Sequence, residues 1–78
     1  MKNVIIYSTP TCAFCHATKE FFKEHDIKYE EIDVAGNPEK AQEMVEKSGQ
    51  MGVPVVDIES EIVVGFNKQK LSELLEIK

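Results

Sequence analysis

The sequence predicts an α/β domain: a four-stranded mixed sheet with three helices in the order βαβαββα. Three observations carry this. A continuous β-branched run, Val4-Ile5-Ile6-Tyr7, lies near the start and is closed by Thr9-Pro10-Thr11. An amphipathic pattern follows directly from Phe14. In the second half, Val53 to Ile58 and Glu61 to Val64 are two β-rich segments separated only by Glu59-Ser60. At 78 residues, with 42% hydrophobic and 29% charged positions, the chain has the composition of an ordered domain rather than a disordered one. A chain this short buries only about 60% of its unfolded surface, too little for two cores. No repeat, low-complexity tract or linker divides it, so residues 1–78 read as one domain.

Each element has a local cause. Val4 to Tyr7 lacks alternation, which suits a central strand covered on both faces. Pro10 has no N–H for a ladder and ends it. Phe14, Ala17, Phe21 and Phe22, with Lys19, Glu20, Lys23 and Glu24 between them, make one apolar stripe of a helix to about His25. Ile27 to Val34 alternates imperfectly, with Tyr29 and Ile32 on opposite parities, and reads as an exposed strand near a sheet edge. Asn37 caps and Pro38 opens a second helix over 38–48, with Ala41, Met44 and Val45 inward and Gly49 as its left-handed end. The two later β segments form a tight antiparallel hairpin. Asn67 caps a last helix with the stripe Leu71, Leu74 and Leu75, and Phe66 with Leu71 forms a hydrophobic staple across that cap. The first two strands should form a right-handed parallel βαβ unit, with helices on both faces of the sheet.

Fourteen acidic residues against nine basic give a net charge of -5, the wrong sign for nucleic-acid phosphates or an anionic lipid surface. Neither nucleic acid nor membrane is expected as a partner. The apolar run Val4 to Tyr7 is shorter than the 7 to 15 or so residues of a signal-peptide core, and no run approaches the roughly 18 residues of a membrane span. A cytoplasmic monomer is expected. A bridge between Cys12 and Cys15, the only cysteines, closes so small a loop that chain entropy contributes on the order of 2 kcal/mol before strain. Reactivity explains the pair better than stability does.

Cys12 falls where the first strand turns into the first helix. The unpaired N–H groups and partial positive charge of a helix N-terminus favour a thiolate there, so Cys12 is the candidate nucleophile. Cys15 lies on the same face but deeper, and is the candidate resolving thiol that attacks the mixed disulfide on Cys12 to close a Cys12–Cys15 disulfide. His16 and Lys19, four and seven residues on, fit either of two descriptions: cations that stabilise the thiolate, or solvated polar side chains of a surface helix. His25 reads as a helix-terminal residue favoured by the dipole. No metal site is expected, because Cys12, Cys15, His16 and His25 on one helix cannot converge on a tetrahedron. Cys12-Ala13-Phe14-Cys15-His16 also matches a haem c attachment signal, but the βαβ pattern and the lack of an export signal argue against it. Met44 and Met51 read as packing residues.

Tyr7-Ser8-Thr9-Pro10-Thr11-Cys12-Ala13-Phe14-Cys15-His16 after a strand, Ser48-Gly49-Gln50-Met51-Gly52-Val53-Pro54, and Gly65-Phe66 before the last helix together resemble a glutaredoxin or the closely similar NrdH-type redoxin. The resemblance covers essentially the whole chain. It implies the thioredoxin-like fold, a cis peptide at Val53-Pro54, and thiol–disulfide oxidoreductase activity on disulfide-containing proteins or glutathione mixed disulfides. It also implies that the Val53 backbone pairs with substrate as a short antiparallel strand, with Phe14, Pro54, Phe66 and Asn67 completing the substrate-binding surface. No tightly bound cofactor is implied; glutathione is a co-substrate, or a flavoprotein thioredoxin reductase is the donor. Glutathione-dependent members usually carry Lys at the position of Thr9, and a second Gly with acidic residues where this chain has Phe66-Asn67-Lys68-Gln69. An alternative function is a glutathione-dependent module that binds or transfers a [2Fe-2S] cluster.

Overall fold

The computed structural model describes residues 3–50 and 52–76; Met51, expected to pack in its loop, lies outside the described residues. The elements are β1 (Val4–Ser8), α1 (Ala13–Glu24), β2 (Glu30–Asp33), α2 (Pro38–Ser48), β3 (Val55–Ile58), β4 (Glu61–Val64) and α3 (Lys68–Leu75). The sheet order is β2-β1-β3-β4. β1 runs parallel to β2, with Tyr7 opposite Ile32, and antiparallel to β3, with Tyr7 opposite Val55. The unbroken apolar run of β1 is explained by this central place, since its alternate residues enter two cores. Val4 and Ile6 join Phe21, Phe22, Val56, Ile58, Val63 and Leu71 under α1 and α3. On the other face Tyr7 packs with Val55 and with Met44 of α2.

The edge strand is shorter than expected, four residues instead of eight. Ile27 and Tyr29 pack against the α1–α3 core before the strand begins, with the Tyr29 ring 5.3 Å from that of Phe22, whereas Ile32 and Val34 pack on the α2 side. Opposite parities in this segment therefore serve opposite faces. β3 begins at Val55 rather than Val53, because Pro54 has no N–H for the ladder and its carbonyl accepts the Gly65 N–H at 2.8 Å. The Val53-Pro54 peptide is cis.

The helix ends follow their capping residues. Asn37 Oδ1 accepts the Lys40 N–H at 3.2 Å, and Asn67 Oδ1 accepts the Lys70 N–H at 3.0 Å. Gly49 closes α2 at φ 77°, a left-handed position that glycine takes without a Cβ penalty. Phe66 and Leu71, on either side of the Asn67 cap, belong to the same apolar cluster. The hairpin turns on two non-glycine residues at positive φ, Glu59 at 49° and Ser60 at 74°. Positive φ at both positions gives the twist a two-residue hairpin needs, and Asp57 Oδ1 holds the turn by accepting the Ser60 N–H at 2.8 Å. No helix of the described residues is long and apolar enough to cross a membrane.

A polar network that periodicity does not reveal joins α2 to the sheet. The fully buried Tyr7 ring sends its hydroxyl to Glu43, donating at 2.6 Å, and accepts from Lys47 at 2.9 Å. Lys47 also donates to Asp57 at 2.9 Å. Burial pushes the Tyr7 phenol up; its hydrogen bond to Glu43 holds that carboxyl low; hydrogen bonds to Tyr7 and Asp57 push the Lys47 ammonium up.

Two substitutions separate the apolar and polar contributions in urea unfolding. Phe22→Ala should lose about 3–5 kcal/mol through the cavity left in the core. Lys47→Met should lose about 1–3 kcal/mol, because the buried Asp57 carboxylate then lacks its cation. Tyr7 and Lys47 hold protons above their ordinary values of 10.0 and 10.5, so their contribution is complete below about pH 10 and is lost as pH rises beyond it. The alkaline fall in stability should be shallower in Lys47→Met than in the parent.

Candidate active site

The loop after β1 is closed by two short contacts. The Cys12 N–H donates to the Thr9 carbonyl at 3.3 Å, and the His16 N–H donates to the Cys12 carbonyl at 3.2 Å, starting α1. Cys12 itself is the N-cap, with extended backbone at φ -86° and ψ 111°. Its Sγ accepts the Cys15 N–H at 3.1 Å. A side-chain oxygen of Ser, Thr, Asp or Asn ordinarily does this; here the sulfur replaces it, and no acidic residue stands in the first turn to compete for the positive helix end. The Cys12 thiol also points at the Val53 carbonyl, 3.8 Å away. The strand-end loop and the Val53-Pro54 loop thus meet at one sulfur, and the Pro54–Gly65 hydrogen bond brings up the third segment, Gly65-Phe66-Asn67.

The two cysteines, both free thiols, occupy unlike environments. Cys12 is half-buried, whereas Cys15 is fully enclosed. Burial, followed by the hydrogen bond with Cys12, pushes the Cys15 thiol up to about 12, against a smaller opposing effect from a hydrogen bond with the Thr9 backbone.

The remaining candidates surround this pair unevenly. Phe14 is 66% exposed in the first turn of α1 beside Cys12. Val53 is half-buried and Pro54 buried. Phe66 is half-buried with its ring 6.2 Å from that of Phe21, so much of it serves the core, and the Asn67 side chain serves the α3 cap. His16 and Lys19, open between cations beside Cys12 and solvated side chains, have other partners. The His16 ring donates from Nε2 to the Pro10 carbonyl at 3.1 Å, and Lys19 pairs with Glu31 at 2.8 Å. Neither reaches Cys12 among the described hydrogen bonds. Ser8 and Glu31 were not anticipated: the Ser8 hydroxyl, buried at the end of β1, donates to the same Glu31 oxygen at 3.0 Å. A polar residue at a core parity of β1 was the signal available for Ser8. Among the described residues no group of three or more His, Cys, Asp or Glu side chains is arranged to hold a metal ion.

This asymmetry predicts selective alkylation. Iodoacetamide at pH 8 should modify the folded, reduced protein once, on Cys12, and reach Cys15 only after denaturation. Peptide mapping reads the site; a second adduct on the folded chain would contradict the enclosure of Cys15.

Comparisons with known proteins converge on one family. The glutaredoxin family profile matches residues 4–63. The chain is similar to an uncharacterized glutaredoxin-like 8.6 kDa protein in the rubredoxin operon of Clostridium pasteurianum, 45% identical over 71 residues that cover 91% of this chain and 95% of that one. It is 34% identical to glutaredoxin 3 of Escherichia coli over 65 residues, 83% of this chain and 78% of the other. Among solved structures, the glutaredoxin of Archaeoglobus fulgidus superposes with a TM-score of 0.87 at 31% identity, over 96% of this chain and 87% of that one. With a thioredoxin-like fold and a Cys12–Cys15 dithiol at the start of its first helix, the chain belongs to the glutaredoxin family of thiol–disulfide oxidoreductases.

Proposed function

We propose that the chain is a dithiol electron carrier that reduces protein disulfides and glutathione mixed disulfides, with Cys12 as nucleophile and Cys15 as resolving thiol. One observation carries the division of roles: of two sulfurs at one helix terminus, the half-exposed one accepts a helix N–H and the other is enclosed. Cys12 as thiolate attacks one sulfur of the substrate disulfide, forms a mixed disulfide and expels the first substrate thiolate, which takes up a proton. Cys15 then gives up its proton and attacks the Cys12 sulfur. That closes the Cys12–Cys15 disulfide and releases the second substrate thiol, so two electrons have passed to the substrate. A thiol donor returns them.

Substrate backbone is expected to pair with Val53, whose N–H has no hydrogen-bond partner among the described residues and whose carbonyl already lies beside the Cys12 sulfur. Exposed Phe14 offers apolar contact on the other side of that sulfur, with Phe66 and Asn67 beyond Pro54. The chemistry suits a reducing compartment such as the cytosol. The donor is glutathione or a thioredoxin reductase, and turnover with glutathione plus glutathione reductase, compared with turnover on thioredoxin reductase, separates the two.

Mass spectrometry after exposure to glutathione disulfide tests the roles. Cys15→Ser should hold one glutathione on Cys12, and Cys12→Ser should hold none and lose all reductase activity. An adduct on Cys15 in Cys12→Ser, with none on Cys12 in Cys15→Ser, would reverse the assignment. Thr9→Lys should lower KM in glutathione-dependent turnover about fivefold, the effect of one partly screened charge-assisted contact of about 1 kcal/mol. An unchanged KM would mean that glutathione does not bind beside Thr9.

A further inference from the structure

The proposed cycle leaves one demand unmet. Cys15 has to become a thiolate in order to attack the mixed disulfide, yet it is enclosed, and burial disfavours the anion. Burial and the neighbouring Cys12 both work against ionisation. Lys19 stands one helical turn beyond Cys15, at the i+4 position on the same face of α1. Its side chain is only 15% exposed, unusual for a lysine. Glu31 of β2 holds the ammonium at 2.8 Å, and the buried Ser8 hydroxyl of β1 holds the same carboxylate oxygen at 3.0 Å. Ser8 immediately precedes Thr9, whose carbonyl accepts the Cys12 N–H. The cation is thereby clamped where α1, β1 and β2 meet, on the helix face that carries Cys15 one turn earlier. A partly exposed pair of this kind contributes about 0–1 kcal/mol to folding, so stability alone is a weak reason to sequester a lysine here.

We propose that Lys19, held in place by Glu31 and Ser8, is a positioning residue for the resolving step, its fixed charge favouring the Cys15 thiolate that attacks the Cys12 mixed disulfide. This rests on the reading of Cys15 as the resolving thiol. The charged and titratable groups around the pair are few: Cys12 and His16 on α1 itself, Glu31 on β2, and Tyr29 just before β2. Lys19 is the cation among them whose charge works to lower the Cys15 thiol, a small effect against burial and Cys12, which raise it. Glu31 keeps the ammonium from swinging into solvent, and with its own pKa lowered by Lys19 and Ser8 it is a poor proton acceptor. In the net step the proton given up by Cys15 is balanced by the one the departing substrate thiolate takes up, so no added oxidant or reductant is needed.

Dithiobis-nitrobenzoate resolves the two steps in one trace. At one equivalent, attack by Cys12 releases the first coloured thiolate and attack by Cys15 on the resulting mixed disulfide releases the second. Stopped-flow traces across pH should show the second phase of Lys19→Met and Lys19→Gln slowed about fivefold near pH 7.5 and its pH midpoint moved upward. The first phase should keep the parent rate, and Lys19→Arg should keep the parent profile. A second phase unchanged in both neutral variants would overturn the proposal, as would equal slowing of both phases, which marks general damage. If Lys19→Met does not fold by circular dichroism, Lys19→Gln and Lys19→Arg decide the matter alone. A second phase that persists in Cys15→Ser would remove the reading of Cys15 itself, whatever Lys19 does.

Discussion

An α-helix that begins at a strand end needs an acceptor for its unpaired N–H groups, and in this chain a sulfur fills that place. The rest of the site follows from that substitution. With Cys12 as the N-cap of α1, its sulfur has to stand at the positive end of the helix, beside the loop after β1 and within reach of the next cysteine's backbone. The N–H that the helix start leaves unpaired is the donor the sulfur accepts, so one contact both caps the helix and holds the sulfur at its end.

The same geometry makes the two thiols unequal. Three residues of helix turn Cys15 inward to the packed face of α1, where Phe21 and Phe22 continue the core, while Cys12 stays at the rim. A pair so divided can be attacked from outside at one sulfur and closed from inside by the other, which an evenly exposed pair would not enforce. The division also sets a cost, since an enclosed thiol is hard to ionise. The Lys19–Glu31–Ser8 cluster stands one helical turn beyond that thiol, at the junction of three elements.

On the opposite face of the sheet, Tyr7, Glu43, Lys47 and Asp57 tie α2 to β1 and β3. A lysine bridging a phenol and a carboxylate is a directional joint where apolar packing alone would let the helix slide. The small α2 core, with Met44 as its fully buried helical contribution, is where such a joint matters most.

Much of this was legible in the residues themselves, wherever the governing interaction is local. The β1 run, the stripes of the three helices, the Asn37, Gly49 and Asn67 caps and the Glu59-Ser60 turn depend on neighbours within about four positions, and each stands where the pattern put it, except Phe14, which the stripe of α1 placed inward and which is 66% exposed because Cys15 and Thr18 take the buried side of that turn. The position of Cys12 at a helix start was equally readable, from a strand ending at Pro10 and a stripe beginning at Phe14. What depended on distant partners was not. The ends of β2 and β3 were set by packing of Ile27 and Tyr29 and by the Pro54–Gly65 contact. The destinations of His16 and Lys19, and the pairing of Lys47 with Tyr7 and Asp57, joined residues that sequence periodicity treats as solvated. A helical period tells which side of a helix a charge occupies; only the assembled sheet decides which strand brings the opposite charge to it, because that meeting depends on register and strand order rather than on spacing along the chain.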